Sequence, residues 1–362
     1  MITAEFTQQV DADAWNARVR QFAGGSIFQT TYWASYFSAY LGARPHYLIL
    51  RETNEIVGQL LMLEMLRGHE SFLGSVTSLA GSLGAPFLRV LTWREGPLLA
   101  ESSHQDEILL ASLQGIERLA IDRVITGIDE VSLPIGQSSN GLRAMLLAGG
   151  FQSHQRATVR IDVRPPLEHL WAGLKQGVAR TPVRKSAKQG LALQHVNSLE
   201  ELREFYQLVT EWRKEEGFPS YRFERYKEMF MNMRSHCEFF LVKQAECIVA
   251  GAGLIHFNGQ AHILTPVMSS VARRERVYAG DFLYWEMIRW CHENGFSIFD
   301  LQGISTVPSS DKETGIRRFK EKWGGQVIEY PVFTAVLKPG RWRLVSGLQN
   351  VKHAIRRWRH GN

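Results

Sequence analysis

The chain has 362 residues, of which 44% are apolar and 22% charged, a balance typical of a globular protein long enough for two domains that each bury a core. Residues 1–174 contain 13 Arg, no Lys and 17 acidic residues, a net charge of −4, whereas residues 175–362 contain 29 Lys and Arg against 19 acidic residues, a net of +10. If the protein binds a polyanion, we therefore expect the second half to bind it.

Several classes of protein are excluded or disfavoured at this level. Three cysteines without paired spacing argue against a disulfide framework and favour a reducing compartment. The 12 histidines show no His-x-x-x-His pattern and the cysteines no Cys-x-x-Cys pattern, so we expect no metal site. Acidic residues interrupt the N-terminal stretch, and the longest uncharged run, 71–88, is rich in Gly and Ser. We therefore predict no signal peptide, no membrane span and a cytoplasmic location.

The first half alternates strand and helix patterns, and Pro165-Pro166 marks its end. Strands are predicted at 3–9, 45–51, 56–66, 97–100, near 131 and at 151–163, and helices at 11–22, 104–122 and 142–147. The segment 27–33 leads into one further helix, which runs through about Leu41. We interpret residues 1–164 as one mixed α/β domain.

The second half repeats this plan over residues 165–337. Ser198 to Glu201 form a capping box that begins a helix, and Asn258-Gly259 is a two-residue hairpin turn. Helices are predicted at 167–174, from Thr181-Pro182 to Gly190, at 199–212, 222–233 and 281–294, and strands at 191–196, 238–243, 247–257, 261–268 and 326–336.

The stretch 298–325 combines a strand end, Asp300-Leu301-Gln302-Gly303, with a helix from about Glu313 to the Gly324-Gly325 pair. At 100° per residue, Lys320 lies at the margin of an apolar face formed by Ile316, Phe319 and Trp323. The same register points Arg317, Arg318, Glu321 and Lys322 away from that face. Such a lysine is suited to stabilising developing negative charge. The same pattern is also expected of a lysine whose side chain lies along the apolar face of an ordinary amphipathic helix.

Three motifs in this half, in the same order and spacing, resemble those of the Fem (FemABX) family of aminoacyl-tRNA-dependent peptidyltransferases. They are Phe282-Leu283-Tyr284-Trp285-Glu286-Met287-Ile288-Arg289-Trp290, Asp300-Leu301-Gln302-Gly303 and Phe319-Lys320-Glu321-Lys322-Trp323-Gly324. The resemblance covers residues 165–335. It implies two tandem GNAT-like (acyl-CoA N-acyltransferase-like) domains with mixed sheets.

The resemblance also implies roles for particular residues. Phe319 and Lys320 match the family's catalytic Phe-Lys pair, and the lysine would hold the charge that forms when an amine attacks the aminoacyl ester. Arg222 and Tyr226 match an Arg-x-x-x-Tyr that contacts the peptidoglycan precursor, and a cation stacked on a surface ring is the alternative. Asp300 and Gln302 are candidates for orienting the lysine or the incoming amine, unless Asp300 only ends the strand.

A basic cluster, Arg180, Arg184, Lys185 and Lys188, has no carboxylate within it. We expect it to contact phosphate groups of tRNA or of a diphosphate precursor, with a solvated helix face as the alternative. From residue 338 onward, basic residues and apolar residues recur at helical spacing without an acid. We interpret residues 338–362 as a basic amphipathic helix that either contacts the inner face of the membrane peripherally or packs on the first domain.

The choice of donor depends on the loop 274–281, which occupies the position where GNAT domains bind the pyrophosphate of coenzyme A. It has one glycine where that motif has two, and Asp281 would repel a diphosphate. The sequence thus predicts an aminoacyltransferase that uses aminoacyl-tRNA, without a further cofactor, on an amine of a lipid-linked or nucleotide-linked peptidoglycan precursor. The alternatives are an N-acyltransferase that uses acyl-CoA or another carrier, and a non-catalytic module that binds RNA or a membrane surface.

Overall fold

A computed structural model describes residues 2–66, 89–101, 104–135 and 140–340. The chain divides into two compact units: Met1–His154 with the residues from Pro331 onward, and Gln155–Tyr330. These limits differ from the sequence boundaries at 164 and 337. The predicted C-terminal helix lies outside the described residues, except for 338–340. Within the described residues, no helix is both long and apolar enough to cross a membrane.

The first unit combines a sheet with helices, and buried residues lie on both faces of its strands. Its strands are β1 (Ile2–Thr7), β2 (Arg44–Glu52), β3 (Glu55–Leu66), β4 (Arg89–Thr92), β5 (Leu98–Leu99) and β6 (Gly127–Ser132), and its helices are α1 (Ala12–Gln21), α2 (Thr31–Leu41), α3 (Gln105–Asp122) and α4 (Asn140–Ala148). Strands β1 to β4 pair antiparallel in chain order, and β4 pairs parallel with β6. Because β2 and β3 are apolar on both faces, residues such as Leu48, Leu50 and Leu60 are fully buried.

The second unit has the same alternation of helices and strands. Its strands are β7 (Gln152–Asp162), β8 (Leu191–His195), β9 (Cys237–Gln244), β10 (Cys247–Phe257), β11 (Gln260–Met268), β12 (Ile298–Ile304) and the first residues of β13 (Gln326–Val336). Its helices are α5 (Leu167–Gly173), α6 (Arg180–Ser186), α7 (Leu199–Glu215), α8 (Glu224–Asn232), α9 (Ser270–Arg274), α10 (Ala279–Glu293) and α11 (Asp311–Glu321). The strand order β7-β12-β11-β10-β9-β8 forms a mixed sheet.

Two local predictions in this unit are confirmed. Asn258 and Gly259 have φ of 50° and 73°, as a two-residue hairpin turn between β10 and β11 requires. The Ser198 hydroxyl accepts a hydrogen bond from the Glu201 amide, and the Glu201 carboxylate accepts one from the Ser198 amide, so the capping box is present. The helix expected from Thr181-Pro182 instead spans Arg180–Ser186.

Candidate active site

Strands β11 and β12 run parallel and remain paired over only three positions, the last of which joins His262 to Asp300. Beyond that pair each strand has a residue with positive φ, Thr265 at 45° and Gln302 at 62°. Each strand is also irregular there in its pairing with its other neighbour. Their carboxyl ends therefore leave the ladder, and such ends are the usual place for a ligand in α/β sheets.

Helix α11 carries Lys320 to this point. Ser310 caps the helix by accepting a bond from the Glu313 amide, and the Glu313 carboxylate accepts one from the Ser309 amide at 2.7 Å. The helix ends at Glu321, and Gly324 has φ of 80°. A Cβ on Gly325 would lie 2.9 Å from the Arg160 carbonyl oxygen, so this position requires glycine. The Gly-Gly pair thus ends the helix beside β7.

The Lys320 ammonium lies against β12. Its Nζ donates hydrogen bonds to the carbonyl oxygens of Gln302 at 3.2 Å and Gly303 at 2.8 Å. Two of its three N–H groups are used in this way, which leaves one for a ligand. Burial lowers the pKa of Lys320 to about 8, and the Asp300 carboxylate opposes that change. The lysine is therefore a fixed, partly desolvated cation.

A bulge in β12 directs these two carbonyl groups. The pairing of β12 with β7 joins Asp300 to Arg160 and Gly303 to Thr158, so β12 has one extra residue. The Gln302 amide, at positive φ, donates to Asp300 Oδ1 at 2.7 Å. The carboxylate therefore closes the bulge from which the two carbonyl groups reach Lys320.

Asp300 is buried, with 2% of its surface exposed. It accepts hydrogen bonds from the Thr158 hydroxyl and from Arg160 Nε at 2.8 Å, and His262 Nδ1 lies 3.7 Å from Oδ2. Burial acts to raise the pKa of Asp300, but the charges of His262 and Arg160 and the hydrogen bonds from Thr158 and Arg160 outweigh it and hold the pKa below its usual value. Because its partners are internal, the structure places this carboxylate to hold the bulge, where the sequence suggested contact with substrate. Gln302 contributes its backbone carbonyl.

Thr158, Arg160 and His262 were not predicted as site residues from the sequence. Arg160 is 8% exposed in a strand whose neighbours Val159 and Ile161 are in the core, and an arginine within such a strand was the available signal. Nothing local links it to Asp300, 140 residues away. Strand pairing brings them together.

Phe319 packs in an aromatic cluster below the lysine. Its ring lies edge-on to Tyr284 at 4.9 Å, and Tyr284 stacks on Trp323 at 5.7 Å. Lys322 lies 4.1 Å from the centre of the Phe319 ring and forms a buried ion pair with Asp281 of α10. The expectation that Lys322 points outward is wrong, since Asp281 supplies a counterion and Lys322 is buried. Ile316, expected on the apolar face, is 43% exposed.

Arg222 and Tyr226 do not lie on one helix face. Helix α8 begins at Glu224, so Arg222 precedes it and is exposed. Tyr226 is 2% exposed and packs on Phe205 and Phe239, and burial raises its pKa to about 12. Arg222 is thus exposed ahead of the helix, whereas Tyr226 is buried within it.

The basic cluster divides into two roles. Arg180 donates to the carbonyl oxygens of Leu174 at 3.0 Å and Ala172 at 3.2 Å, and so caps the end of α5. Arg184 and Lys185 are exposed, and their charges lie 5.5 and 5.6 Å from the ring centres of Trp171 and Tyr278, respectively. Arg180 therefore has internal contacts that the sequence did not indicate.

The loop before α10 is already occupied by protein groups. The Tyr278 amide, at the N-cap of α10, donates to Gln189 Oε1 at 2.9 Å. Asp281 lies in the first turn of the helix, where its ion pair with Lys322 compensates its charge. A diphosphate at this helix start would have to displace the Gln189 contact and approach a carboxylate.

Comparison with known proteins supports the GNAT-like fold. Residues 177–321 match the family model described as Acetyltransferase (GNAT) domain, and no curated protein matches the chain. Among solved structures, FemX is 15% identical with a TM-score of 0.75, over 94% of this chain and 99% of that one. A tandem GNAT protein from the clavulanic acid biosynthesis pathway is 13% identical with a TM-score of 0.57, over 92% and 98%. L-PGS from Bacillus licheniformis is 14% identical with a TM-score of 0.53, over 91% and 93%.

The GNAT domain match over residues 177–321 is in line with the prediction of a transferase of acyl groups, and the solved structures show that the chain as a whole has their fold. The predicted GNAT-like fold is confirmed: residues 177–321 match the GNAT domain model, within a chain whose fold is similar to that of FemX.

Proposed function

We propose that this protein transfers an aminoacyl group from an aminoacyl-tRNA to an amine of a peptidoglycan precursor, with Lys320 as the catalytic cation. The observation that carries the proposal is the Lys320 ammonium, fixed by two carbonyl groups where β11 and β12 part. A cation held in place before the reaction stabilises charge without reorganising during it, which is the most effective form of electrostatic catalysis.

In the proposed reaction the acceptor amine attacks the ester carbonyl carbon, a C–N bond forms, and the carbonyl oxygen becomes an oxyanion. Collapse of this intermediate breaks the bond to the ribose oxygen, and the proton lost by the amine ends on that oxygen. The remaining N–H of Lys320 is available to the oxyanion or to the departing ribose oxygen. Phe319, held by Tyr284, is the apolar wall beside this cation.

The second candidate function is N-acylation from acyl-CoA, which the match to the GNAT acetyltransferase model favours. Two contacts oppose it: the Tyr278 amide is bonded to Gln189, and Asp281 lies in the first turn of α10. A pyrophosphate would gain one fewer amide donor and would meet the Asp281–Lys322 ion pair in the first turn of α10. We therefore rank aminoacyl-tRNA above acyl-CoA as the donor.

The deciding experiment offers the purified protein each donor with each acceptor. The donors are a labelled aminoacyl-tRNA mixture and acetyl-CoA, and the acceptors are soluble and lipid-linked peptidoglycan precursors. Phosphatidylglycerol is a third acceptor, because one neighbour is described as a lysylphosphatidylglycerol synthetase. We expect amide formation from aminoacyl-tRNA and none from acetyl-CoA.

Lys320→Met tests the site, and Arg318→Met, an exposed residue of the same helix, is its control. Removing one donor to an oxyanion typically lowers kcat by about 10²–10³-fold. Unchanged transfer by Lys320→Met would remove the lysine from the mechanism, and transfer from acetyl-CoA alone would replace the proposal by its alternative. The predicted cytoplasmic location and the contact with the membrane stay predictions.

A further inference from the structure

The first unit contains a groove of its own, with a volume of about 260 Å³. Its lining residues all lie between positions 5 and 56, whereas Lys320 and the residues that hold it belong to the second unit. No residue of the groove takes part in the proposed transfer. The volume lies just below the range of about 300–1,000 Å³ that is usual for drug-sized ligands, so the groove suits a smaller molecule.

The floor of the groove is one face of strands β1, β2 and β3. The strand register places Glu5, Ile49 and Gln59 side by side across these strands. Because side chains alternate between the two faces of a strand, Leu48 and Leu50 lie on the other face, where they belong to the core of the unit. The floor therefore has an apolar centre, with a carboxylate on β1 and an amide on β3.

Helix α1 covers this floor. At 100° per residue Asp11, Ala14 and Arg18 lie on one side of the helix, and all three line the groove. The ring of Trp15 packs edge-on against that of Tyr47, on β2, with 4.8 Å between the ring centres. This contact fixes the helix above the strands, so the groove is formed before any ligand binds.

Arg18 is held in place within the groove. Its Nε donates to Gln59 Oε1 at 3.0 Å, and the fully buried Gln59 donates through Nε2 to the Trp15 carbonyl oxygen at 3.4 Å. Among the residues that the structure describes, the two terminal nitrogens of Arg18 have no hydrogen-bond partner. Because the side chain is already ordered, a ligand that binds these nitrogens loses little free energy in fixing them.

Arg51 is the second cation of the groove. Its Nε lies 3.7 Å from Glu5 Oε2, which is longer than a hydrogen bond. Burial and, after it, the charge of Arg51 lower the pKa of Arg18, while Asp11 acts in the opposite direction. The two guanidinium groups therefore repel each other across the groove, and an anionic group between them would relieve this repulsion.

The formal charges of the groove sum to zero. The two guanidinium groups are accompanied by two carboxylates, Glu5 and Asp11. A phosphate ion would bind the guanidinium groups but would meet both carboxylates, and a simple amine would meet both guanidinium groups. A ligand that carries one charge of each sign suits both sets. Ile49 and Ile56 add an apolar surface between them.

We propose that this groove binds a small zwitterion, an α-amino acid with an aliphatic side chain. The carboxylate of the ligand accepts hydrogen bonds from the terminal nitrogens of Arg18 and Arg51, the strong charge-assisted pair that guanidinium and carboxylate groups form. The ammonium group donates to Glu5. The aliphatic side chain packs on Ile49 and Ile56. This site is separate from the proposed transfer reaction and does not depend on it.

The test is isothermal titration calorimetry of the full chain with leucine, isoleucine and valine. The amino acid that binds most tightly is then compared with its deaminated acid and its decarboxylated amine. We expect the Kd of each fragment to be about 10-fold higher or more, because each lacks one charge-assisted interaction. Equal or tighter binding of the deaminated acid or of inorganic phosphate would overturn the proposal in favour of a simple anion site. Absence of binding at about 10 mM of all three amino acids would also overturn it, because a site with a Kd of about 1 mM would then be largely filled.

Two variants place the ligand in the groove. Arg18→Gln and Arg51→Gln should each raise the Kd for the amino acid by about 10–100-fold. If Arg18→Gln does not fold, Arg51→Gln gives the result, because the Arg51 side chain approaches Glu5 only to 3.7 Å. Arg20→Gln is the matched control, since Arg20 is an exposed residue of the same helix outside the groove, and it should leave the Kd unchanged.

A third variant tests the zwitterion itself. Glu5→Gln should raise the Kd for the amino acid but not the Kd for its deaminated acid, because only the amino acid has an ammonium group. Melting temperatures of the unliganded variants show whether each of them is folded. An amino acid that binds the folded Arg51→Gln and Glu5→Gln variants as tightly as the wild type would lie elsewhere, and the proposal would be refuted.

Discussion

Asp300→Asn removes a negative charge from the buried centre that supports Lys320. Arg160, 8% exposed, would lose its carboxylate partner while keeping its own charge. Removing one member of a buried ion pair costs about 3–5 kcal/mol, a large fraction of the roughly 5–15 kcal/mol that stabilises a typical domain. We expect a fall of this size in the free energy of unfolding at pH 7. Urea denaturation followed by the fluorescence of the ten tryptophans measures it.

The pH dependence and a control sharpen this prediction. Because the pKa of Asp300 is below its usual value in the folded protein, its contribution is present above about pH 4 and is lost as the pH falls through the folded pKa. The difference between wild type and variant should therefore shrink as the pH falls below about 4. The control is Asp162, the last residue of β7, which forms an exposed ion pair with Arg164. Asp162→Asn should leave the urea midpoint unchanged. A loss below about 1 kcal/mol for Asp300→Asn would refute the reasoning.

Three further changes follow from the same structure. The rate of transfer should decline as the pH rises through about 8, where Lys320 loses its proton. In an active Lys320→Arg variant this decline should move to higher pH. Identical pH profiles for the wild type and the variant would contradict the role of the ammonium. Burial and the neighbouring His236 lower the pKa of His256 from 6.5 to about 4. The free energy of unfolding of the wild type should therefore fall by at most about 2 kcal/mol between pH 7 and 5. Urea denaturation at both pH values should show that His256→Gln abolishes this fall. Lys322→Met should lower the melting temperature, because it leaves Asp281 buried without its partner. The double variant Lys322→Met, Asp281→Asn should recover part of that loss in thermal unfolding. Additive losses would show that the two residues are not coupled.

Much of the fold could be predicted from local signals. The capping box at Ser198 and the turn at Asn258-Gly259 each depend on residues within four positions of one another, and both are formed as expected. The position of Lys320 near the end of a helix that follows a strand could be predicted in the same way. Such signals are visible in a sequence because the atoms that interact are close along the chain.

Two expectations based on helix register differ from the structure. The expected alignment of Arg222 with Tyr226 assumed a helix that starts before Glu224, and the expected exposure of Lys322 took no account of Asp281. Lys322 still has helical backbone dihedrals, so it is its buried ion pair with Asp281, on another helix, that distinguishes it from a solvated lysine. A periodicity of 100° per residue gives the direction of a side chain but not the partner that tertiary packing supplies.

By itself the sequence determined most of the order of helices and strands, with β4 and α9 missed, as well as the excess of positive charge in the second half and the lysine on which the proposed chemistry depends. Only the tertiary structure decided what holds that lysine. Thr158 and Arg160 reach Asp300 across about 140 residues, and His262 reaches it from the other neighbouring strand. Strand pairing creates these contacts, and pairing is chosen by the packing of the whole sheet, so no local pattern contains them.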